Sequence, residues 1–482
     1  MVAMEPQNSS TNSFNEKLEK IKTDFSHIAE ITQKLAKDDP RRVVHSLKVG
    51  LAITLVSLFY YFDPLYQGFG VNAMWAVLTV VVVFEFSVGA TLGKGVNRVL
   101  ATIIGGLLAV GAHRLSLLAG PKLEPFLMAS SVFITATVST FVRFFPKIKA
   151  RFDYGVLIFI LSFSLICVSG YREDEVIDMA HRRVTTILIG SSTAVITCLL
   201  IWPVWAGTDL HNLTANNIDK LGHFLQEFGG EYFKNPADIT SKDSSKAHSG
   251  GFKNILDSKN SVDSLFNFAK WEPRHGRFKQ GHPWLQYQNI CELTRHCACK
   301  VEALYNVLHS HPQAPKEVKA KFQEPCSKIS IETGKALKEL SSSIRKMTQP
   351  TKVKSHIQNA KQATQNLNII LHSKDLWKTF NLSDVTQVGT ITSTLAQVVT
   401  CTEEIAKAVE ELASLAKFKA IVDAKVVPEN ERIKKLNNQT SIKHRRSFNS
   451  HVIIVDSSSQ CTQRLVDGED PPSLSMAQQN AE

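Results

Sequence analysis

The chain reads as an all-α polytopic membrane protein, with six transmembrane helices in a 3+3 inverted repeat followed by a helical cytosolic domain. Three observations predict this. Most of the long apolar runs of the 482-residue chain fall within residues 1–205. The short loops between those runs carry their basic residues unevenly, as the loops of a membrane protein do. Beyond residue 206 the apolar residues recur at spacings of three and four, the period of helices that bury one face.

Composition bounds the remaining possibilities. A mean hydropathy of -0.06 conceals the division between an apolar first part and a polar second part. Residues 1–205 hold 19 Lys and Arg against 15 Asp and Glu, leaving 36 against 29 for the rest. The net charge of +11 is therefore spread along the chain. It forms no basic patch of the kind that binds nucleic acid, and nucleic acid is not an expected partner. The polar, mixed-charge opening of some 40 residues does not resemble a cleavable signal peptide. Eight scattered cysteines argue against a disulfide scaffold. The tightest group, Cys291, His296, Cys297 and Cys299, lacks the paired C-x-x-C spacing of a zinc site and reads as small buried residues.

Residues 1–43 form a cytosolic N-terminal segment. Phe14, Leu18, Ile21, Phe25, Ile28, Thr32 and Leu35 mark an amphipathic helix over residues 14–37, suited to docking on the cytosolic part or to pairing with a second copy. The transmembrane domain occupies residues 44–205, with apolar segments at 44–62, 65–84, 99–118, 125–142, 154–171 and 184–205. Crossing ~30 Å of hydrocarbon takes ~20 apolar residues. The first and third segments span only if Lys48 and Arg114 snorkel or face a cavity. Lys34, Lys37, Arg41, Arg42, Lys94, Arg98, Arg143, Lys147, Lys149 and Arg151 fall on one side of the membrane, which predicts cytosolic termini. The acidic loop at 172–178 then faces outward or into a vacuole.

The stretch Trp75–Gly106 stands out, because its two apolar runs are joined by a glycine-rich elbow carrying Lys94 and Arg98 where hydrocarbon should begin. A cation there is costly unless it serves an anion, a partner or lipid headgroups. The chain also resembles itself. Trp75-Ala-Val-Leu followed by Phe84 matches Tyr154-Gly-Val-Leu followed by Phe163, and Arg98–Gly105 matches Arg183–Gly190 at four of eight positions. With three helices per repeat, the halves would be related by an inverted two-fold axis, as in many transporters. Arg98 and Arg183 then sit at equivalent helix starts, one at each mouth of a shared path, where charge and helix dipole attract the same anion. Snorkelling to lipid phosphates is the bland alternative. Glu85 is the other costly charge, a partner for Lys94 or Arg98.

Residues 206–424 read as a helical cytosolic domain. Its apolar stripes run through Leu210, Leu213, Ile218, Leu221, Phe224, Leu225 and Phe228, through Ile290, Leu293, Cys297, Val301, Leu304 and Leu308, and through Ile405, Val409, Leu412 and Leu415. Pro273 ends a helix, and Trp271 offers an interface anchor. No nucleophile with a base, phosphate loop or metal cluster is legible, so no enzymatic activity and no cofactor are expected. Residues 425–482, with the basic run Lys443-His444-Arg445-Arg446, read as a disordered tail suited to a membrane surface or to phosphorylation.

Four stretches carry a specific resemblance: NAMWAVLTVVVVFEFSVGATLGKGVNR (Asn72–Arg98), STFVRFFPKIKARFDYGVLIFILSFSLI (Ser139–Ile166), PVWAGTDLH (Pro203–His211) and WEP (Trp271–Pro273). They are similar to the plant aluminium-activated malate transporter family. The resemblance implies a homodimeric anion channel of six-helix subunits, passing malate and sometimes inorganic anions, in the plasma membrane or the vacuolar membrane. It also implies that the family's pore arginines correspond to Arg98 and Arg183, with Lys94 as a further cation. Aluminium sensing, a property of some members, would fall to Asp174 and Asp178. A further acidic position of sensing members is Gln67 here, with Asp63 nearby. Two rival readings stay open on the residues alone: a proton-coupled organic-acid exporter using Glu85, and a membrane-anchored scaffold without transport.

Overall fold

The computed structural model describes residues 8–62, 73–170, 176–231, 252–308, 315–373 and 382–420, and among them the regular elements are all helical. Helix α1 (Asn8–Asp38) leads into α2 (Arg41–Tyr61). These are followed by α3 (Ala73–Val83), α4 (Val88–Leu118), α5 (Glu124–Val142), α6 (Pro146–Gly170) and α7 (Val176–Leu200). The C-terminal part contains α8 (Ala206–Glu231), α9 (Lys259–Ala269), α10 (Trp284–Leu308), α11 (Lys316–Lys346), α12 (Val353–Leu371) and α13 (Leu382–Leu415).

Five helices, α2 and α4–α7, are long and apolar enough to cross a membrane. The sixth crossing, expected over residues 65–84, is represented by the 11-residue α3, and residues 63–72 lie outside the described set. Eleven residues rise ~17 Å, about half the hydrocarbon thickness. The outer faces of the long helices expose Leu107, Leu118, Phe126, Phe133 and Phe141, as lipid-facing helices do.

The glycine-rich elbow is helical, which corrects the expected start of the third membrane helix at residue 99. Ser87, in extended conformation, caps α4 by accepting from the Ala90 amide at 3.3 Å, so only residues 84–87 interrupt the helical path. Glycine lowers intrinsic helix propensity by ~1 kcal/mol per residue. Close packing recovers that loss, since Gly89, Gly93, Gly95, Gly105 and Gly106 are all buried.

The six helices α2–α7 pack in a symmetric pattern. α4 packs on α6 and α3 on α7; α2 packs on α3 and α5 on α6; α2 meets α7 and α4 meets α5. α3 touches α4, α6 touches α7, and α4 and α7 pack on each other. Exchanging α2, α3 and α4 for α5, α6 and α7 leaves this set unchanged, as the repeat in the sequence requires.

Lys48 neither snorkels nor faces solvent. It is buried on α2 and donates from Nζ to the Trp202 carbonyl at 2.8 Å. Arg114 is exposed on α4. On α1, Ile21, Phe25, Ile28, Ile31 and Leu35 remain exposed.

The C-terminal helices share one core. α8 and α11 form its tightest pair, with Gly222 and Gly334 facing each other so closely that a Cβ on Gly334 would lie 2.8 Å from the Gly222 carbonyl. Leu210, Ile218, Leu221, Leu225, Ile290, Cys297, Val301, Leu304, Ile405, Val409 and Leu412 are buried there, as the stripes predict, whereas Leu415 is exposed. The expected tail at 425–482 lies outside the described residues.

Candidate functional site

Arg98 lies ten residues into α4, ~15 Å from its start, and Arg183 lies seven residues into α7, ~10 Å from its start. Neither occupies a helix terminus, so the dipole argument of the sequence does not apply to them: the dipole's effect fades beyond the first turn. Both side chains are buried.

Each arginine meets an aromatic ring from the opposite half. Arg98 donates from Nη1 to the Tyr154 hydroxyl on α6 at 3.1 Å. The Arg183 guanidinium lies 4.1 Å over the Trp75 ring on α3. Trp75 and Tyr154 are the residues the internal repeat makes equivalent, as are Arg98 and Arg183. The two contacts are thus one interaction made twice, with hydrogen bonding in one copy and stacking in the other. Cation–π contacts of this kind contribute roughly 0.5–2 kcal/mol when desolvated.

The two charges are also close enough to act on each other. Both lie inside the bundle, on the packed helices α4 and α7. Among the described residues no carboxylate pairs with either guanidinium, and the buried Arg98 Nε has no hydrogen-bond partner. A buried charge without a counter-charge is expensive, and two that repel are more so. The arrangement is complementary to an anion carrying several acceptor oxygens.

Polar groups continue along the same helices. Thr102, one turn beyond Arg98, is buried 3.4 Å from the Ser162 hydroxyl of α6. Thr186 follows Arg183 on α7, and the buried Ser191 hydroxyl further along has no partner. Asn97 donates from Nδ2 to the Arg151 carbonyl at 3.2 Å, tying α4 to the first turns of α6.

Lys94 is placed differently. Its ammonium pairs with Glu85 and lies 5.6 Å from the centre of the Tyr154 ring. Glu85 thus answers Lys94 and not Arg98, and the pair neutralises itself. Asp174 lies outside the described residues. Asp178 is on the first turn of α7, with its side chain outside the described set, as are Gln67 and Asp63. The structure therefore brings together Arg98 and Arg183, with Lys94 beside them, and leaves the aspartate pair undescribed.

A second arrangement was not foreseen from sequence. The Glu272 side chain is only 1% exposed and accepts from the amides of Ala206 at 2.5 Å and Gly207 at 3.0 Å, the first residues of α8. It also lies against Gly89 at the start of α4, where an added Cβ would come 2.9 Å from the Glu272 Cγ. One carboxylate thus caps the first C-terminal helix while packing against the start of α4. Burial pushes Glu272 up to about 7, against the Gly207 and Ala206 amides that favour its charged form and with Asp209 adding to the rise. His275 sits 3.7 Å away and stacks flat on Trp205, with burial lowering its own pKa. Gly89 admits this contact: a Cβ there would fall 2.2 Å from the Phe268 carbonyl. Trp271 packs over Gly93 and under the Arg151 guanidinium, which is the anchor role its size suggested. The WEP triplet was the available signal, although its glutamate's partners are backbone amides that no side-chain pattern reveals.

Comparison with known proteins adds to this geometry. Aluminum-activated malate transporter 2 of Arabidopsis thaliana is 51% identical over 389 residues, covering 80% of this chain and 77% of that protein. Aluminum-activated malate transporter 7 of the same plant is 46% identical over 439 residues, covering 85% and 87%. Aluminum-activated malate transporter 1 of Triticum aestivum is 45% identical over 406 residues, covering 81% and 86%. The family model for the aluminium activated malate transporter matches residues 33–377, through the membrane helices and well into the C-terminal domain, and the chain belongs to that family.

Proposed function

We propose that the chain is an anion channel through which malate and inorganic anions move down their electrochemical gradient. The observation that carries this reading is the pair of buried, mutually repelling guanidinium groups of Arg98 and Arg183, with which no carboxylate pairs among the described residues. An entering dicarboxylate relieves that repulsion and satisfies the idle donors. Tyr154 and Trp75 already partly engage the arginines, which limits how tightly an anion is held, and conduction requires both entry and release. The relatives' names as malate transporters support malate as the substrate. Lys94, already neutralised by Glu85, takes the lesser part of a cationic approach to the site.

In this reading the membrane domain crosses six times. Both termini face the cytosol, in keeping with the basic loop residues on that side. The chain works as a homodimer in the plasma membrane, with the vacuolar membrane as the alternative location, and Asp174 and Asp178 carry any response to external aluminium. An inside-negative potential supplies ~2.3 kcal/mol per charge per 100 mV, enough to drive a dianion outward without coupled fuel.

The test is current through the full-length chain in a planar bilayer under opposed malate and pH gradients, with and without external aluminium. The reversal potential should follow the malate gradient and ignore the pH gradient. A reversal that tracks pH would instead indicate proton-coupled export, and absence of current under every activator tried would indicate a scaffold.

A further inference from the structure

The C-terminal domain gathers a second set of chemically active side chains, on helices far apart in sequence. His296 on α10 and Cys401 and Glu404 on α13 place one ligand atom each within 4.8 Å of one another. The Cys401 sulfur lies 3.8 Å from His296 Nδ1. In tetrahedral zinc coordination, bond lengths of ~2.3 Å to sulfur and ~2.0–2.1 Å to nitrogen put those two ligands about 3.6 Å apart. The pair therefore already spans one edge of such a tetrahedron.

We propose that His296, Cys401 and Glu404 bind a divalent cation of the zinc class, holding it with one nitrogen, one sulfur and one oxygen ligand and leaving a fourth position open to water. The thiol and imidazole select a borderline-soft metal, unlike the hard oxygen ligands that a trivalent aluminium ion requires. Burial is graded to suit entry, since Cys401 is buried and forms the floor, whereas His296 and Glu404 are exposed. Cys297, next to His296 on α10, is fully buried in the same core. A bound ion would clip α13 to α10, two helices that already pack along each other in the core.

Cobalt(II) titration of the purified full-length chain, in detergent and under reductant, tests the site, because cobalt takes zinc positions and reports sulfur ligation by a near-ultraviolet thiolate charge-transfer band. One ion per chain should bind with that band, zinc should displace it, and Cys401→Ser should abolish it. His296→Ala and Glu404→Gln alter exposed residues and so spare the fold. Each should weaken binding by more than the ~10–100-fold that loss of an outer-sphere partner costs. Absence of the band, its survival in Cys401→Ser, or unchanged affinity in both His296→Ala and Glu404→Gln would overturn the proposal.

Discussion

At the scale of single residues, Arg183 makes the sharpest claim. Its guanidinium stacks on Trp75 and donates to no described acceptor, so its charge is free for an anion. Removing a hydrogen bond to a charged group costs ~1.5–3 kcal/mol, a factor of roughly 10–100. Arg183→Ala should therefore lower malate current by at least about tenfold at equal surface abundance. Arg183→Lys, which keeps the charge and loses the planar face over Trp75, should fall between the two. Whole-cell current normalised to surface-labelled protein checks this, and wild-type current in Arg183→Ala would remove the residue from the pathway. Both arginines were legible in the sequence because the repeat is written in neighbouring side chains, Trp75 and Tyr154 as well as Arg98 and Arg183. Their depth was not legible, since nothing in local composition shows that the helices begin at Val88 and Val176. Glu272 was hidden for a different reason: what it recognises is the main-chain amides of Ala206 and Gly207, groups that every sequence has.

At the scale of elements, the packing of α4 and α7 turns on glycines that the repeat makes equivalent. Gly105 lies against α6, where a Cβ would come 3.1 Å from the Phe159 carbonyl. Gly190 lies against α3, where a Cβ would come 2.6 Å from the Ala76 carbonyl and 2.8 Å from the Thr79 Cβ. Backbone cannot yield as a flexible side chain can, so Gly190→Ala should cost ~1–3 kcal/mol, more than Gly105→Ala. Gly111, further along α4, has nothing within 4 Å of the added atom, so Gly111→Ala should stabilise by up to ~1 kcal/mol through helix propensity. Thermal unfolding of the detergent-solubilised chain ranks the three, and equal midpoints for Gly190→Ala and Gly111→Ala would refute the close contact of α7 with α3. The same glycines explain why the elbow misleads a local reading. Their propensity argues for a break, and the close approach of residues 268–271 to Gly89 and Gly93 overrides it.

At the scale of the whole molecule, the membrane helices and the C-terminal helices meet at a seam that holds a buried carboxylate, Glu272. The Val88 amide donates to the Val204 carbonyl at 2.9 Å, Trp271 fills the space over Gly93, and Glu272 caps α8 beside Gly89 of α4. A shift of the C-terminal domain would therefore pull on the helix that carries Arg98. The helical character of both halves could be read from periodicity, but this seam could not, because Glu272 lies 66 residues from Ala206 and shares no pattern with it. The seam has a pH signature of definite sign. With its native pKa raised to about 7 from an ordinary 4.5, the carboxyl holds a proton that the unfolded chain has already released. Its contribution is full below the unfolded value and is lost as pH rises through about 7, a change of up to ~3 kcal/mol for a shift of this size. The unfolding midpoint of the full-length chain should consequently fall between about pH 5 and about pH 8 more steeply than that of Glu272→Gln, which cannot ionise there. The difference between the two curves removes the background from histidines common to both. Parallel curves would mean that Glu272 stays ionised throughout, held by the Ala206 and Gly207 amides, and that the seam does not respond to pH.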